Sequence, residues 1–243
     1  MCIRDRHIPV SAQLFFSQFF FLTETVESEY QDEWLTRKQN KKKRHREYLD
    51  GLDFSDFLVF YTVFRSLPQG IRLQLSNSSV IRYAQLFDLG EGLDVFCNRG
   101  TSGIDGSTST AVGAATVFSG QTVFITGDLS FLYDSNAFWN SYIPSNFRVI
   151  VVNNSGGGIF RILPGPKKSG ALDYFETPHQ LDASHLCKMH GIDYLRATDL
   201  KSLESALDGF FNSTNGPRLL EIFTPSEVND RVLMDYFKFL DQA

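Results

Sequence analysis

Two short apolar segments, each ending abruptly in glycine and an oxygen-bearing side chain, constrain the fold of this 243-residue chain. Thr122–Thr126 stops at Gly127-Asp128, and the second segment, Phe147–Val152, stops at Asn153-Asn154 and three glycines. Both segments are typical of strands buried on both faces. Parallel neighbours would end at the same sheet edge, where doubly wound folds bind ligands. Carboxylate and amide oxygens there suit a magnesium ion that also binds phosphate.

The rest of the chain alternates between helical and strand patterns from about Leu49 onward. This alternation predicts an α/β fold, a doubly wound and mostly parallel sheet with helices on both faces. The predicted helices span Phe57–Leu67, Ser79–Leu86, Gly106–Phe118, Phe131–Trp139, His179–Met189 and Leu200–Phe211, and further strands lie at Ile71–Leu75, around Val95 and at Arg218–Phe223.

Three longer motifs carry a resemblance to a known family: Asn98–Gly106, Gly127–Asp134 and Ile159–Pro164. With the Gly-Asp and double-Asn pair, they resemble the thiamine diphosphate-dependent 2-succinyl-5-enolpyruvyl-6-hydroxy-3-cyclohexene-1-carboxylate synthases, the MenD family. The resemblance covers Leu49 to the C-terminus. Leu129 stands where the wider thiamine family has glycine, which matches this branch. The resemblance implies the thiamine diphosphate-binding fold and, specifically, its diphosphate-binding domain.

The resemblance also implies a cofactor and a metal. Thiamine diphosphate is expected with Mg²⁺, which Mn²⁺ could replace, and the metal ligands are the Asp128 carboxylate, the Asn154 side-chain oxygen and the Gly156 carbonyl. Ile104 is expected to wedge beneath the cofactor and bend it. The expected cofactor-binding residues are Gly103, Ile104, Leu129, Ser130, Asn154 and Gly156.

The expected substrates are 2-oxoglutarate and isochorismate, which carry carboxylates that arginine binds bidentately. The resemblance implies that these carboxylates are bound by Ser78, Arg82 and Arg99. An arginine taken alone is as often a solvated surface residue. An apolar wall facing the substrates is expected from Ile159, Phe160 and Leu163. The five histidines show no ligand spacing and are interpreted as structural.

The implied reaction is decarboxylation of 2-oxoglutarate and addition of the succinyl unit to isochorismate in menaquinone biosynthesis. Another thiamine-dependent carboligase, related to acetolactate synthase, and a non-catalytic cofactor-binding fragment remain alternatives. The family's activating glutamate belongs to a separate pyrimidine-binding domain, which no segment here resembles, so the catalytic residue is unknown. The chain is therefore expected to be a C-terminal fragment, inactive alone, of a homodimeric or homotetrameric enzyme.

The first 48 residues are predicted to be a remnant of the linking domain and a charged helical linker, with Met1–Arg6 of foreign origin. Leu14–Leu22 is apolar but too short to span a bilayer. The net charge of −5 argues against a nucleic-acid binder despite the basic run Lys41–Arg46. Three widely spaced cysteines suggest neither a disulfide framework nor a zinc site, and they favour a cytoplasmic location.

Overall fold

The computed structural model describes residues 7–212 and 215–242, so the predicted foreign segment Met1–Arg6 lies outside the described residues. The chain divides into two compact units, residues 1–44 and 45–243. The first unit contains helix α1, Ala12–Phe19, a 3-10 turn, Phe20–Leu22, and most of helix α2, Tyr30–Leu49. Within the described residues, none of the helices combines the length and the apolarity needed to cross a membrane.

The second unit is built on one sheet of six parallel strands in the order β2-β1-β3-β4-β6-β5. The strands are β1, Arg72–Leu75; β2, Asp94–Cys97; β3, Thr122–Gly127; β4, Arg148–Asn153; β5, Asp193–Ala197; and β6, Arg218–Phe223. The chain runs from β1 to β2 on one side and then to β3 on the other side of β1. This reversal is the switch point at which doubly wound sheets open a crevice.

Ten helices accompany the sheet in the described part of this unit. They are α3, Asp56–Ser66; α4, Ser79–Ala84; α5, Ser107–Thr116; α6, Asp128–Tyr133; α7, Ile159–Ile162; α8, Pro164–Ser169; α9, Leu172–Glu176; α10, Ser184–His190; α11, Leu200–Leu207; and α12, Ser226–Asp241, and a 3-10 turn spans Ser135–Trp139. The predicted fold class, a doubly wound parallel sheet with helices on both faces, is confirmed.

Two apolar layers lie on opposite faces of the sheet because successive strand side chains point in opposite directions. On β3, Val123 and Ile125 join one layer with α3, α11 and α12, whereas Phe124 joins the other with α5. On β4, Ile150 packs in the first layer and Val149 in the second. The central strands therefore carry apolar side chains on both faces, which is the pattern that made them recognisable from sequence.

Three predicted helices are wrong in extent, and one of them, predicted over Leu200–Phe211, already ends at Leu207. The helix predicted over Phe131–Trp139 is divided at Asp134, because its carboxylate turns away to accept hydrogen bonds from Ser109 N and Oγ at 2.7 and 2.6 Å. The helix predicted from His179 begins only at Ser184. Residues 179–183 form irregular backbone instead and are bound to other parts of the chain, for example by His179 N donating to the Ser155 carbonyl at 3.2 Å.

Several observed elements have no sequence prediction: β5, α7, α8, α9 and α12 of the sheet unit and α1 of the first unit. Strand β5 is a half-exposed edge strand whose polar residues hide its periodicity. Helix α12 buries Val232, Leu233 and Tyr236, a helical spacing that the sequence does carry. Only a charged helical linker is predicted in the first 48 residues, but α1 forms as well, and Ser11 caps it by accepting a hydrogen bond from Leu14 N at 3.2 Å.

A buried carboxylate on β6 anchors the chain just after β4. Glu221, 1% exposed, accepts hydrogen bonds from Asn153 Nδ2 at 2.8 Å, Ala183 N at 2.9 Å and Tyr194 Oη at 2.8 Å. Asn153 Oδ1 in turn accepts from Ser155 N at 3.0 Å. Three donors on one carboxylate stabilise its buried charge and hold the strand end in place.

We expect Glu221 to give the stability of the chain a measurable pH dependence. Burial raises the pKa of Glu221 above its ordinary value of 4.5, so the unfolded chain loses this proton at a lower pH than the folded chain. The contribution of Glu221 to the free energy of unfolding should therefore fall as the pH rises from about 4.5 through the folded pKa. Denaturant unfolding across pH 4–8 should show this component in the parent chain and not in Glu221→Gln; identical pH profiles would contradict it.

Candidate functional site

A cavity of about 480 Å³ opens at the carboxyl edge of the sheet, where β1, β3 and β4 end. All thirteen residues predicted from sequence line this one cavity: Ser78, Arg82, Arg99, Gly103, Ile104, Asp128, Leu129, Ser130, Asn154, Gly156, Ile159, Phe160 and Leu163. A volume of this size suits a cofactor-sized ligand. The structure therefore brings together every predicted site residue, although they span three strand ends and several loops.

The two strands that carry the predicted metal ligands are adjacent and parallel, as predicted, with Gly127 paired to Val152. Asp128 directly follows β3 and is 4% exposed. Its Oδ2 accepts a hydrogen bond from Gly156 N at 2.9 Å, and its Oδ1 accepts one from Leu129 N at 2.7 Å. The carboxylate of Asp128 thus already ties the end of β3 to the glycine loop after β4.

His179 also reaches Asp128, which the sequence does not predict. Its Nε2 lies 3.2 Å from Asp128 Oδ2, a distance suited to an ion pair, although the two groups are not aligned as a hydrogen bond. The interaction with the Asp128 carboxylate raises the pKa of His179. The histidine is 51 residues from its partner and lies in no ligand-like spacing, so no sequence signal marks it.

Asn154 presents an unfilled acceptor. Its Nδ2 donates a hydrogen bond to Asp56 Oδ2 at 2.8 Å, and its buried Oδ1 has no hydrogen-bond partner within the described part of the chain. Gly158 leaves room for this amide, because a Cβ there would lie 3.1 Å from Asn154 Nδ2. Buried acceptors without a partner are rare in folded proteins. An oxygen held in this way suits a cation.

The loop after Asn154 depends on glycine. Gly156 has φ of +146°, and a Cβ at this position would lie 2.6 Å from the Glu176 carbonyl oxygen. The backbone is held here because Gly157 N donates to the same Glu176 carbonyl at 2.7 Å. The Gly156 carbonyl accepts from Gly158 N at 3.0 Å and keeps a second lone pair. Only glycine allows the backbone to approach a ligand this closely.

These oxygen donors fit a magnesium ion that takes its remaining ligands from a diphosphate. Asp128, Asn154 and Gly156 offer one carboxylate, one amide oxygen and one carbonyl. In residues 7–212 and 215–242, no three His, Cys, Asp or Glu side chains cluster as a metal site. A hard cation here would need oxygens from a ligand to complete its shell, as Mg²⁺ does when it binds phosphates.

Two side chains hold the loop of Gly103 and Ile104 against the cavity. Asn77, 2% exposed, donates from Nδ2 to the Gly103 carbonyl at 2.6 Å and also to the Asn98 carbonyl. Ser130 Oγ donates to the Ile104 carbonyl at 2.6 Å. Asn77 is a site residue that the sequence does not predict, and it fixes the loop that presents Ile104.

The predicted substrate-binding residues Ser78, Arg82 and Arg99 line the same cavity. Arg99 Nη1 donates to Asn77 Oδ1 at 3.3 Å, so the same amide that holds the Ile104 loop also orients this arginine. Ser78 has φ of +69°, an unusual conformation for a residue other than glycine. Such conformations persist where the surrounding structure holds them and cluster at functional sites.

The predicted apolar wall is formed by α7 and the residue that follows it. Ile159 is 8% exposed and Leu163 is 38% exposed, and the Phe160 ring lies 5.3 Å from that of Phe175. Arg161, on the same helix, pairs with Glu176 and donates to the Ser226 carbonyl at 2.8 Å. This arginine therefore ties the wall to α9 and to the start of α12, while its neighbours line the cavity.

Comparison with known proteins identifies a matching family and a solved structure with a similar fold. The profile of the family described as "Thiamine pyrophosphate enzyme, C-terminal TPP binding domain" matches residues 78–222. Among solved structures, benzoylformate decarboxylase from Polynucleobacter necessarius is similar over 70% of this chain and 33% of its own, with a TM-score of 0.60 and 17% identity. That likeness supports the fold alone.

Two curated relatives are much closer in sequence. The 2-succinyl-5-enolpyruvyl-6-hydroxy-3-cyclohexene-1-carboxylate synthase of Flavobacterium johnsoniae is 52% identical over 237 residues, and that of Flavobacterium psychrophilum is 50% identical over 236 residues. Each match covers 97% of this chain and 43% of the relative. The chain therefore spans less than half the length of the curated relatives it matches.

Proposed function

Because the chain belongs to the family of thiamine pyrophosphate enzyme C-terminal TPP-binding domains, we propose that it forms the cofactor-anchoring part of a MenD-type synthase. The identity of 52% to such a synthase supports this choice. The observation that carries the proposal is the single cavity lined by all thirteen predicted residues. In the proposed reaction of the whole enzyme, 2-oxoglutarate loses carbon dioxide and the remaining succinyl unit is added to isochorismate.

We propose that residues 49–243 hold thiamine diphosphate through a magnesium ion. Asp128, Asn154 and the Gly156 carbonyl would bind the metal. The Ser130 amide would face the diphosphate, and so would that of Leu129, which donates to Asp128 Oδ1 in this structure. When bound, the cofactor supplies the nucleophilic carbon that 2-oxo acid decarboxylation requires. Gly103 and Ile104 would contact its aminopyrimidine and fix its bent shape, and Asn77 and Ser130 hold their loop in place.

The arginines that line the cavity support carboxylate binding. Arg82, Arg99 and Ser78 would bind the substrate carboxylates, and the wall of Ile159, Phe160 and Leu163 would exclude water from the reacting carbon. An acetolactate-synthase-like carboligase is the second candidate. A cavity with two arginines favours substrates with several carboxylates over pyruvate, which has one.

Assembly and location are further parts of the proposal. Residues 1–48 are proposed to be linker, and the activating glutamate is proposed to come from a pyrimidine-binding domain of a partner subunit in a homodimer or homotetramer. A cytoplasmic location is proposed because Cys97 and Cys187 are free thiols, as a reducing compartment maintains them.

We test the proposal in a chimaera in which this chain replaces the matching 237 residues of the Flavobacterium johnsoniae relative. The chimaera should form product from 2-oxoglutarate and isochorismate, and Arg82→Ala and Arg99→Ala should each lower kcat/KM. Loss of a bidentate charge-assisted contact should cost about 2–4 kcal/mol, or about 30- to 1,000-fold.

The matched control is Arg65→Ala on α3. Arg65 is exposed and donates to Tyr61 Oη at 2.7 Å on the same helix. This variant should keep the kcat/KM of the chimaera. Unchanged kinetics in both cavity variants would assign Arg82 and Arg99 to the surface, and turnover of pyruvate in preference to 2-oxoglutarate would favour the second candidate.

A further inference from the structure

A buried carboxylate that belongs to none of the predicted ligand sets touches one of the proposed metal ligands. Asp56 is the first residue of α3 and is 2% exposed. Its Oδ2 accepts a hydrogen bond from Asn154 Nδ2 at 2.8 Å, across 98 residues of sequence. No sequence signal distinguishes Asp56 from an ordinary acidic residue in the first turn of a helix.

The contact decides which atom of Asn154 faces the cavity. A side-chain amide has an oxygen and a nitrogen of nearly the same size, so rotation by half a turn exchanges an acceptor for a donor. An ionised carboxylate only accepts hydrogen bonds. Asp56 therefore selects the orientation in which Asn154 Nδ2 points at Asp56 and leaves Oδ1 without a partner in the described chain.

Asp56 is itself held in one position by groups outside the cavity. Thr224 Oγ1 donates to its Oδ1 at 2.5 Å, and its backbone N donates to Asn229 Oδ1 at 2.8 Å. Asn229 Nδ2 closes the network by donating to Thr224 Oγ1 at 3.3 Å. Thr224, which directly follows β6, and Asn229 of α12 thus hold in place the residue whose carboxylate orients the Asn154 amide.

We propose that Asp56 is a positioning residue for the metal site, which orients Asn154 so that its oxygen, and not its nitrogen, meets the cation. This proposal rests on the proposed function, since it takes Asn154 as a ligand of magnesium. Partners of this kind behind a ligand change metal affinity by roughly 10- to 100-fold. Asp56 lines the cavity, but both of its carboxylate oxygens already accept hydrogen bonds, from Asn154 and from Thr224, so we place it behind Asn154 and not among the metal ligands.

The first test measures metal affinity instead of turnover. Mn²⁺ is titrated into the 243-residue chain with saturating thiamine diphosphate, and free Mn²⁺ is followed by electron paramagnetic resonance. Asp56→Asn keeps the shape of the side chain but can present either an oxygen or a nitrogen to Asn154. It should weaken Mn²⁺ binding roughly 10- to 100-fold. Parent-like affinity would overturn the positioning role and leave the proposed function intact.

A double-mutant cycle separates orientation from general support of the fold. Asn154→Asp places an oxygen on both sides of residue 154, so no partner is needed to orient it. In that background Asp56→Asn should leave the Mn²⁺ affinity unchanged or raise it, because it also separates two adjacent carboxylates. A role in folding alone predicts the same loss in both backgrounds. Equal losses would therefore overturn the proposal.

Glu221→Gln supplies a matched control, because Glu221 is also a buried carboxylate that accepts from an asparagine Nδ2 at 2.8 Å. Its partner Asn153 already uses Oδ1 to accept from Ser155 N. This variant should lower stability but keep Mn²⁺ affinity within about threefold, below the loss expected for a residue that supports a ligand. A loss as large as that of Asp56→Asn would overturn the specific role of Asp56.

A second readout needs no metal. In the chain without added ions, the Asn154 side-chain amide protons should exchange slowly with solvent, and Asp56→Asn should speed their exchange. Fast exchange in the parent chain would overturn the orienting contact itself. Slow exchange in a parent chain that binds no Mn²⁺ would instead overturn the proposed metal site, and the positioning role with it. Failure of the orienting contact and failure of the metal site therefore give different results.

Discussion

Replacing Asp128 with alanine is expected to abolish magnesium-dependent binding of thiamine diphosphate. Asp128 would supply the only carboxylate among the three proposed metal ligands, and its Oδ2 also accepts from Gly156 N at 2.9 Å. Loss of a direct ligand should exceed the 10- to 100-fold cost of losing an outer partner. We therefore expect affinity to fall at least about 100-fold, or about 2.7 kcal/mol. Calorimetric titration with thiamine diphosphate and Mg²⁺ measures this fall.

Two further variants separate charge from folding. Asp128→Asn can still accept the bond from Gly156 N but lacks the charge, so it should bind the metal almost as poorly as the alanine variant. Asp235→Ala removes an exposed carboxylate that pairs with Lys238 on α12, and it should bind normally. The parent chain should gain thermal stability from the two ligands, whereas both Asp128 variants should not. A normal gain in Asp128→Ala would exclude this residue from the metal site.

Replacing Gly156 with alanine is expected to destabilise the chain and to distort the loop that lines the cavity. The added Cβ would lie 2.6 Å from the Glu176 carbonyl oxygen, and φ of +146° is unfavourable for any side chain. Strain at such a backbone costs about 1–3 kcal/mol, and the clash adds to it. A loss of about 2–4 kcal/mol should lower the Tm by about 5–15 °C for a unit of this size.

Gly113→Ala is the matched substitution. Gly113 is exposed within α5, and a Cβ there meets nothing within 4 Å. Alanine should stabilise this helix by about 0.5–1 kcal/mol. Thermal unfolding of both variants, with and without cofactor and Mg²⁺, measures the difference. Equal Tm values for Gly156→Ala and the parent would show that the loop does not adopt this backbone in solution.

Much of the sheet could be predicted because its central strands carry a local signal. β3 and β4 are continuous apolar runs that break at glycine, so their position, their burial and the ligands after them follow from residues within a few positions of one another. The same short-range pattern predicted that Asp128 and Asn154 lie at one edge of the sheet. The edge strand β5, with polar residues on its exposed face, lacks this contrast.

The residues that support the site could not be predicted for a different reason. Asp56 meets Asn154 across 98 residues and His179 meets Asp128 across 51, so neither pair leaves a pattern in any short window. Asn77 lies beside Ser78, a predicted residue, yet its bonds to the Gly103 and Asn98 carbonyls depend on how two strand ends lie together. Such partners follow from tertiary packing alone.

The two consecutive asparagines at the end of β4 have different partners, which makes the domain adaptable. Asn153 turns to Glu221 and Asn154 turns to Asp56, so one amide belongs to the scaffold and its neighbour belongs to the cavity. Residues that serve separate networks change independently more readily than residues that share one. The Asp56–Asn154 pair could therefore be redesigned for a different cation while the Glu221–Asn153 pair continues to hold the strand.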